Sequence, residues 1–134
     1  MILLDTDVMV DLLRQYPPAM RWFNSLDEGE EIAVPGFVVM ELVQGCRSKQ
    51  EQRRLLQVLV PYAIVWLDPG ECENALRTFI RFHLSHHIGL LDVLVAQTAI
   101  ALDVPLCTFN QKHYRCIRQL QTLQPYEKLH EAAE

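Results

Sequence analysis

The sequence lacks the features that mark a membrane-spanning or secreted protein. Its longest nearly uncharged apolar runs, residues 32–40 and 93–102, are much shorter than the roughly 20 residues that a membrane span needs. No basic segment precedes an apolar run at the amino terminus, so we expect no signal peptide. The four cysteines are widely spaced and form no C-x-x-C pair. We therefore expect free thiols in a reducing cytoplasm, and neither a disulfide framework nor a zinc site.

Positive charge is also scarce, with 12 lysines and arginines against 17 acidic residues and a formal net charge of −5. This balance argues against a general nucleic-acid-binding protein, because phosphate contacts need basic side chains. The charge is nevertheless uneven. Residues 1–46 contain eight acids but only Arg14 and Arg21, whereas residues 47–88 contain six basic residues and four acids. A local nucleic-acid contact is compatible with this distribution.

Short apolar runs alternate with amphipathic helical segments along the chain. The runs that predict strands are residues 2–4, 32–34, 63–67, 104–108 and, as a last edge strand, 120–123. Strands that alternate with helices indicate a parallel sheet covered by helices on both faces. We therefore predict a single α/β domain over residues 1–134, with a central, mostly parallel sheet of four to five strands flanked by helices. Residues 125–134 are polar, and we expect them to form a frayed tail.

Two segments in the second half of the chain have a definite predicted structure. Residues 71–83 predict a long helix that turns Ala75, Leu76, Phe79 and Ile80 toward the core. Residues 109–114 predict a turn after the fourth strand.

Three isolated carboxylates stand among apolar residues. Asp5 follows the first apolar run, at the point where a buried strand would reach the carboxyl edge of the sheet, and ligands bind at that edge in open α/β folds. Glu41 is the single charge in residues 37–46, and Asp92 opens the most apolar helix. Each has a simpler interpretation, because aspartate is a common helix N-cap and Glu41 can lie on an exposed helix stripe.

The three carboxylates are more informative together than singly. Buried carboxylates are costly unless they are hydrogen-bonded, paired or bound to a cation. Converging carboxylates also raise each other's pKa unless a divalent cation neutralises them. Ligands that are all oxygen suit Mg²⁺ or Mn²⁺ better than zinc.

Three segments carry a resemblance to a known family. They are ILLDTDVMVDLLR at residues 2–14, the Val-Met-Glu-Leu pattern that contains Glu41, and LLDVLVAQTAIALDVPLCTFNQKHY at residues 90–114. The last of these ends in the pattern T-x-N-x-x-H-[FY]. In this order and spacing the segments resemble a PIN domain, and within that family the chain is most similar to the VapC-like toxins of bacterial toxin–antitoxin pairs. The likeness covers essentially the whole chain.

The resemblance implies a metal-dependent endoribonuclease on a small parallel α/β sheet. Asp5, Glu41 and Asp92 match the family's metal-holding acids, and the implied cofactor is Mg²⁺ or Mn²⁺. Thr6 and Thr108 match positions that hydrogen-bond within the site. RNA hydrolysis would then use a metal-activated water, with no histidine base and no covalent nucleophile.

The chain departs from many relatives at Asn110, where they carry aspartate. Asparagine supplies an oxygen ligand without charge, so a second metal would bind weakly or only together with substrate phosphate. Asp7 lies two residues past Asp5 and offers another carboxylate, provided that its side chain turns inward. We therefore expect either Asn110 or Asp7 to complete the site.

The partners that the resemblance implies are an RNA substrate, a cognate antitoxin and a second copy of the chain in a homodimer. The acidic first third of the chain suits an antitoxin that places a basic side chain near the site. Lys49, Arg53 and Arg54 on one predicted helix face are candidate RNA contacts, although such residues often form a solvated surface. His113 is expected to pack or to lie near RNA.

Three alternatives remain open at the level of sequence. The opening residues also resemble the nucleophile motif of haloacid-dehalogenase-like phosphatases, with Asp5 as nucleophile and Asp7 as acid–base, but that interpretation leaves Glu41 unexplained. A second alternative is an RNA-processing nuclease of the PIN family without an antitoxin. The third is a PIN-like fold that is kept only for binding a partner.

Overall fold

A computed structural model describes residues 1–129 as one α/β domain with a parallel sheet. Its strands are β1 (Ile2–Leu4), β2 (Ile32–Pro35), β3 (Ala63–Val65), β4 (Leu106–Cys107) and β5 (Thr122–Leu123). The five strands lie in the order β3-β2-β1-β4-β5, and every neighbouring pair is parallel. The predicted fold class is confirmed, and the sheet is wholly parallel where the sequence predicted a mostly parallel one.

Helices connect the strands and cover the sheet. Within residues 1–129 they are α1 (Thr6–Leu13), α2 (Pro17–Ser25), α3 (Gly36–Gln44), α4 (Lys49–Leu59), α5 (Pro69–His86), α6 (Leu90–Leu102) and α7 (Gln111–Tyr114). None of these helices is long and apolar enough to cross a membrane. The four cysteines are free thiols, as expected.

Strand β1 is the centre of the sheet because it pairs on both sides. Ile2 pairs with Ile32 of β2, and Leu3 pairs with Leu106 of β4. Leu3 and Leu4 are fully buried, as expected for a parallel strand that helices cover on both faces. The carboxyl ends of β1 and β4 therefore lie side by side, which brings Asp5 next to Thr108.

Helices α1, α3 and α6 form one contiguous layer, since α3 contacts both α1 and α6. Helix α6 is apolar nearly all round, and a helix of this kind is stable only when it is buried. Its residues 95–99 are all buried. The layer fixes the start of α6 beside the middle of α3, so that Asp92 and Glu41 face the same edge of the sheet.

Helix α5 differs from its prediction in the face that it buries. Ala75 is buried and Phe79 is half-buried, but Leu76 and Ile80 are 56% and 69% exposed. The expectation that all four face the core is therefore wrong for Leu76 and Ile80. The reason is that α5 lies mainly against one other helix, α6. One stripe of α5 is covered, and the adjacent apolar stripe is left open.

Two further segments are more ordered than the sequence predicts. Residues 111–114 form the short helix α7 in place of the predicted turn. The Tyr126 hydroxyl donates a hydrogen bond to Asp11 (2.7 Å), and its ring packs on Phe109. Residues 125–129 thus differ from a frayed tail because an aromatic side chain anchors them, while residues 130–134 of that predicted tail lie outside the described part of the chain.

Candidate active site

The Asp5 carboxylate is the most enclosed acid of the site, with a relative exposure of 5%. Asp5 follows β1 and caps α1, accepting a hydrogen bond from the Thr6 backbone N–H (2.8 Å). Its other oxygen, Oδ2, accepts from the hydroxyls of Thr108 (2.9 Å) and Tyr114 (3.0 Å). The capping role proposed as the simpler interpretation is therefore real. It uses one oxygen and leaves the second inside the site.

Burial is the main reason that the pKa of Asp5 rises from 3.8 to about 6, and the negative charge of Asp7 raises it further. The three hydrogen bonds act in the opposite direction, because they favour the charged form. The net result is a carboxylate whose ionised form is destabilised by its surroundings and which a nearby cation would stabilise.

Asp7 holds the loop after β4 against the start of α1. Its Oδ1 accepts from the Val8 backbone N–H (2.8 Å), and its Oδ2 accepts from the Phe109 backbone N–H (2.9 Å). Burial raises the pKa of Asp7, and these two hydrogen bonds lower it. The side chain does turn inward, but both of its oxygens already bind backbone groups.

Glu41 is half-buried on α3 and faces the other acids. Its pKa is raised first by burial and then by the negative charge of Asp92, with a smaller contribution from Asp7. The Thr6 hydroxyl lies close enough to lower this pKa. That hydroxyl is nevertheless buried without a hydrogen-bond partner of standard geometry within residues 1–129. A buried, unpartnered oxygen beside carboxylates is a feature that a bound ion or water would satisfy.

Asp92 lies in the first turn of α6 but does not cap it, because the N-cap residue is Gly89. Its Oδ2 contacts His113 Nε2 at 2.8 Å, and its Oδ1 accepts from the Tyr114 hydroxyl at 3.4 Å. Among residues 1–129, this contact with His113 is the one pairing of Asp5, Asp7, Glu41 or Asp92 with a basic side chain, and it is an ion pair only when the imidazole is protonated. The positive charge of Lys128, which pairs with Asp11, lowers the pKa of Asp7. Asp5 and Glu41 have no basic partner within residues 1–129.

Helix α7 supplies two site residues whose roles the sequence did not reveal. Tyr114 is 1% exposed, and its hydroxyl joins Asp5 to Asp92. His113 holds the other side of Asp92. Both residues lie in the T-x-N-x-x-H-[FY] pattern, but a predicted turn gives no helical spacing from which to place their side chains. Their position follows from helical geometry at residues 111–114.

The remaining predicted residues are placed as follows. Thr108 is buried, donates to Asp5 and accepts from the Asn110 backbone N–H (3.1 Å). Asn110 is exposed at the start of α7, and its side-chain amide forms no hydrogen bond to an acid within residues 1–129. Lys49, Arg53 and Arg54 are exposed on α4, and no ion pair or hydrogen bond in the described chain joins them to the acids.

The donor set suits a hard divalent cation, although it is not a preformed cage. In the described residues, no three His, Cys, Asp or Glu side chains are already grouped to hold one metal ion. Mg²⁺ usually keeps several waters and binds through one or two carboxylates together with substrate phosphate. Such an ion fits two acids that have no basic partner within residues 1–129, Asp5 and Glu41, and the unpartnered Thr6 hydroxyl beside them.

The raised pKa of Asp5 predicts how stability depends on pH. The folded state binds the Asp5 proton more tightly than the unfolded state, so this group stabilises the fold most below about pH 4. The contribution is lost as pH rises through about 6. Asp5→Asn removes the buried charge and can keep the contacts. Its amide oxygen still accepts from the Thr6 N–H, and its NH2 group donates to the Thr108 and Tyr114 hydroxyls, which then act as acceptors.

Without divalent metal, Asp5→Asn should raise the free energy of unfolding at pH 7.5 by up to roughly 3 kcal/mol, at about 1.4 kcal/mol per pKa unit. It should also reduce the fall in the free energy of unfolding between pH 4 and 6, as measured by urea unfolding. Asp103→Asn is the matched control, since Asp103 is exposed with φ of 54°, a conformation that asparagine tolerates. An unchanged pH profile in Asp5→Asn would contradict the prediction.

Comparisons with known proteins agree with this architecture. The PIN domain family model matches residues 2–118. Ribonuclease VapC10 of Mycobacterium tuberculosis is 31% identical over 121 residues, which is 90% of each chain. Ribonuclease VapC19 of the same organism is 35% identical over 127 residues, covering 90% of this chain and 98% of that protein.

Solved structures show the same fold at lower sequence identity. A toxin–antitoxin complex from Klebsiella pneumoniae has a chain that matches with a TM-score of 0.76 at 20% identity, covering 96% of this chain and all (100%) of that one. VapBC2 from Rickettsia felis, bound to a DNA fragment from its promoter, matches with a TM-score of 0.75 at 24% identity, covering 92% and 98%. The ordered acids, the five-stranded parallel sheet and these matches together establish that the chain belongs to the PIN-domain family and, within it, to the VapC ribonucleases.

Proposed function

We propose that the chain is a Mg²⁺- or Mn²⁺-dependent endoribonuclease, the toxin of a VapBC-type toxin–antitoxin pair that acts in the cytoplasm. The observation that supports the proposal is a chain of contacts among acids from three different elements. The Tyr114 hydroxyl lies within hydrogen-bond distance of both Asp5 and Asp92, and the negative charge of Asp92 raises the pKa of Glu41. The names of the similar M. tuberculosis ribonucleases support RNA as the substrate.

Asp5, Glu41 and Asp92 would hold the cation, with Thr6 supplying a neutral oxygen. The chemistry that a divalent cation contributes when bound is activation of water and stabilisation of negative charge on the phosphate. Tyr114 and Thr108 orient Oδ2 of Asp5, because both donate a hydrogen bond to it. His113 contacts Oδ2 of Asp92. The neutral hydroxyls of Thr108 and Tyr114 fix the Asp5 carboxylate without cancelling its charge.

The fourth member of the site is Asn110 or Asp7. Asp7 has both oxygens engaged with backbone N–H groups, which favours a structural role. Asn110 is exposed at the same edge, and its amide oxygen is available to a ligand. We therefore favour Asn110 as the fourth ligand, which is uncharged. Asp7 would add negative charge near the site without contacting the cation.

The phosphatase alternative is not supported. It needs Asp7 as a mobile acid–base, whereas both Asp7 oxygens accept backbone hydrogen bonds. It also gives no role to Glu41, whose pKa is raised by burial and by the negative charge of Asp92. The match of residues 2–118 is to the PIN family.

The proposed partners are an antitoxin and a second copy of the chain. The Klebsiella toxin–antitoxin complex and the Rickettsia VapBC2 complex, which contain chains of the same fold, support the antitoxin. Leu76, Ile80 and Leu84 are 56%, 69% and 84% exposed on α5, and they lie four residues apart on one stripe. An exposed apolar stripe is typical of a surface that another protein covers. We assign it to the homodimer.

The first prediction concerns catalysis. Asp5→Asn, Glu41→Gln and Asp92→Asn should each reduce RNA cleavage in Mg²⁺ or Mn²⁺ by about 100-fold or more, because each removes charge that holds the cation. Asp103→Asn should cleave like the wild type, and a chelator should stop cleavage by all variants. The measurement is the rate of product formation from labelled total RNA on a denaturing gel. Full wild-type activity in chelator would refute the proposal.

The second prediction concerns assembly. Ile80→Asp places a charge in the centre of the apolar stripe, so it should convert a dimer into a monomer at micromolar concentration while leaving the fold intact. Light scattering after gel filtration measures the mass, and circular dichroism checks the fold. Leu102→Asp, at an apolar position that is 41% exposed on α6, is the control and should remain dimeric. A wild-type monomer, or a dimer in both variants, would exclude this surface.

A further inference from the structure

A strongly basic groove lies between α5 and residues 112–119, with a volume of about 950 Å³. The basic side chains that line it are Arg77, Arg81, Lys112, Arg115 and Arg118, and none of its lining residues is acidic. None of these five forms an ion pair with a carboxylate within residues 1–129. The groove thus concentrates five of the 12 lysines and arginines of an acidic protein on one surface.

The groove ends at the candidate active site. His113 lines the groove and also contacts Asp92 Oδ2 at 2.8 Å. The next residue, Tyr114, donates to Asp5. His113 therefore connects the basic surface to Asp92, and a polymer lying in the groove would approach the acids at that residue.

We propose that this groove binds the sugar–phosphate backbone of single-stranded RNA and guides it to the acids. The inference rests on the proposed nuclease function and names the surface that holds its substrate. The acids alone would repel a polyanion, because like charges in a partly buried site interact strongly. Basic side chains that track the backbone offset this repulsion and account for most of the affinity of single-strand binders.

Aromatic groups in the same wall favour RNA over an acidic protein segment. Phe82 and His86 line the groove and contact each other with ring centroids 5.4 Å apart. The Arg81 guanidinium lies 5.1 Å from the Phe82 centroid. Aromatic rings and guanidinium planes that interleave with phosphate-binding cations form stacking platforms for unpaired bases. An acidic peptide offers no comparable stacking group.

The groove is a stronger candidate than the basic residues of α4. Lys49, Arg53 and Arg54 share their helix with an acid, Glu51, whose carboxylate accepts from the Arg47 backbone N–H next to the Ser48 N-cap. The groove, in contrast, has no acid in its lining and reaches Asp92 through His113. Substitutions on the two surfaces therefore distinguish RNA binding in the groove from RNA binding on α4.

The test measures RNA affinity in a protein that does not cleave. In a Glu41→Gln background with Mg²⁺ present, fluorescence anisotropy of a labelled single-stranded RNA of about 16 nucleotides gives Kd over a range of salt. Arg77→Gln with Arg81→Gln should raise Kd roughly tenfold and lower the slope of log affinity against log salt by about 1.4, the value expected for two lost phosphate contacts. A duplex RNA of the same length should bind more weakly than the single strand.

Two pairs with the same change in charge serve as comparisons. Arg14→Gln with Arg21→Gln, both exposed and outside the groove, should leave Kd within about twofold. Equal losses in this pair and the groove pair would show a general charge effect and overturn the proposal. A loss in Arg53→Gln with Arg54→Gln, but not in the groove pair, would place RNA on α4 instead. Displacement of RNA by polyglutamate of matched charge at equal concentration would point to an acidic protein partner and also overturn it.

Cleavage assays separate this inference from the nuclease proposal. In the wild-type acid background, the groove pair should raise KM for RNA while kcat stays within about twofold, because the groove residues bind substrate and do not touch the reacting atoms. A wild type that binds RNA in the groove but never cleaves it would refute the nuclease proposal and leave the groove intact. A wild type that cleaves RNA, with unchanged KM in the groove pair, would refute the groove alone.

Discussion

The Asp5 carboxylate lies at the end of the central strand with 5% relative exposure, and a backbone N–H and two hydroxyls hold it there. Each donor comes from a different place in the fold: Thr6 from the start of α1, Thr108 from the end of β4 and Tyr114 from α7. Asp5 can therefore be satisfied only when the parallel register of β1 with β4 and the helical form of residues 111–114 are both correct. The geometry of the candidate active site around Asp5 therefore depends on correct formation of the fold.

The same arrangement accounts for the balance between stability and function at the site. Neutral donors satisfy the hydrogen-bonding capacity of Asp5 but do not cancel its charge, so its pKa remains raised. The pKa values of Asp7 and Glu41 are also raised, mainly by burial. A neutral side chain in place of Asp5 would avoid the cost of burying a charge there. The proposed cation site requires acids at these positions and accounts for their cost in stability.

Much of this architecture could be predicted from the sequence because it depends on local patterns. Bare aliphatic runs identify β1 and β2, and the recurrence of isolated acids after or between apolar segments identifies Asp5, Glu41 and Asp92. The prediction failed where the outcome depends on a neighbouring element. Ile80 has the spacing of a core residue, but α5 covers only one stripe against α6, so this side chain is exposed. Tyr114 lies in a segment too short for helical periodicity to be recognised, and its role appears only in the assembled site.

The net charge of −5 does not show that acidic and basic side chains lie on different surfaces. The acids converge at the carboxyl edge of the sheet, while a separate groove next to α7 concentrates basic side chains from α5 and from residues 112–118. Arg77 and Arg81 are far from Arg115 and Arg118 in sequence, so no linear charge run reveals the groove. An acidic protein can bind a polyanion when the two signs are separated in this manner.

The central claim, that Asp5, Glu41 and Asp92 hold a divalent cation, is tested most directly by the effect of Mn²⁺ on thermal unfolding at pH 7.5. An ion that binds only the folded state stabilises it by about 2.7 kcal/mol at 100 times its Kd. The unfolding temperature of the wild type should rise with Mn²⁺ concentration, and that of Asp103→Asn should rise equally. Asp5→Asn and Glu41→Gln should lose most of the rise. An equal rise in Asp5→Asn and the wild type, or no rise in the wild type, would contradict the claim.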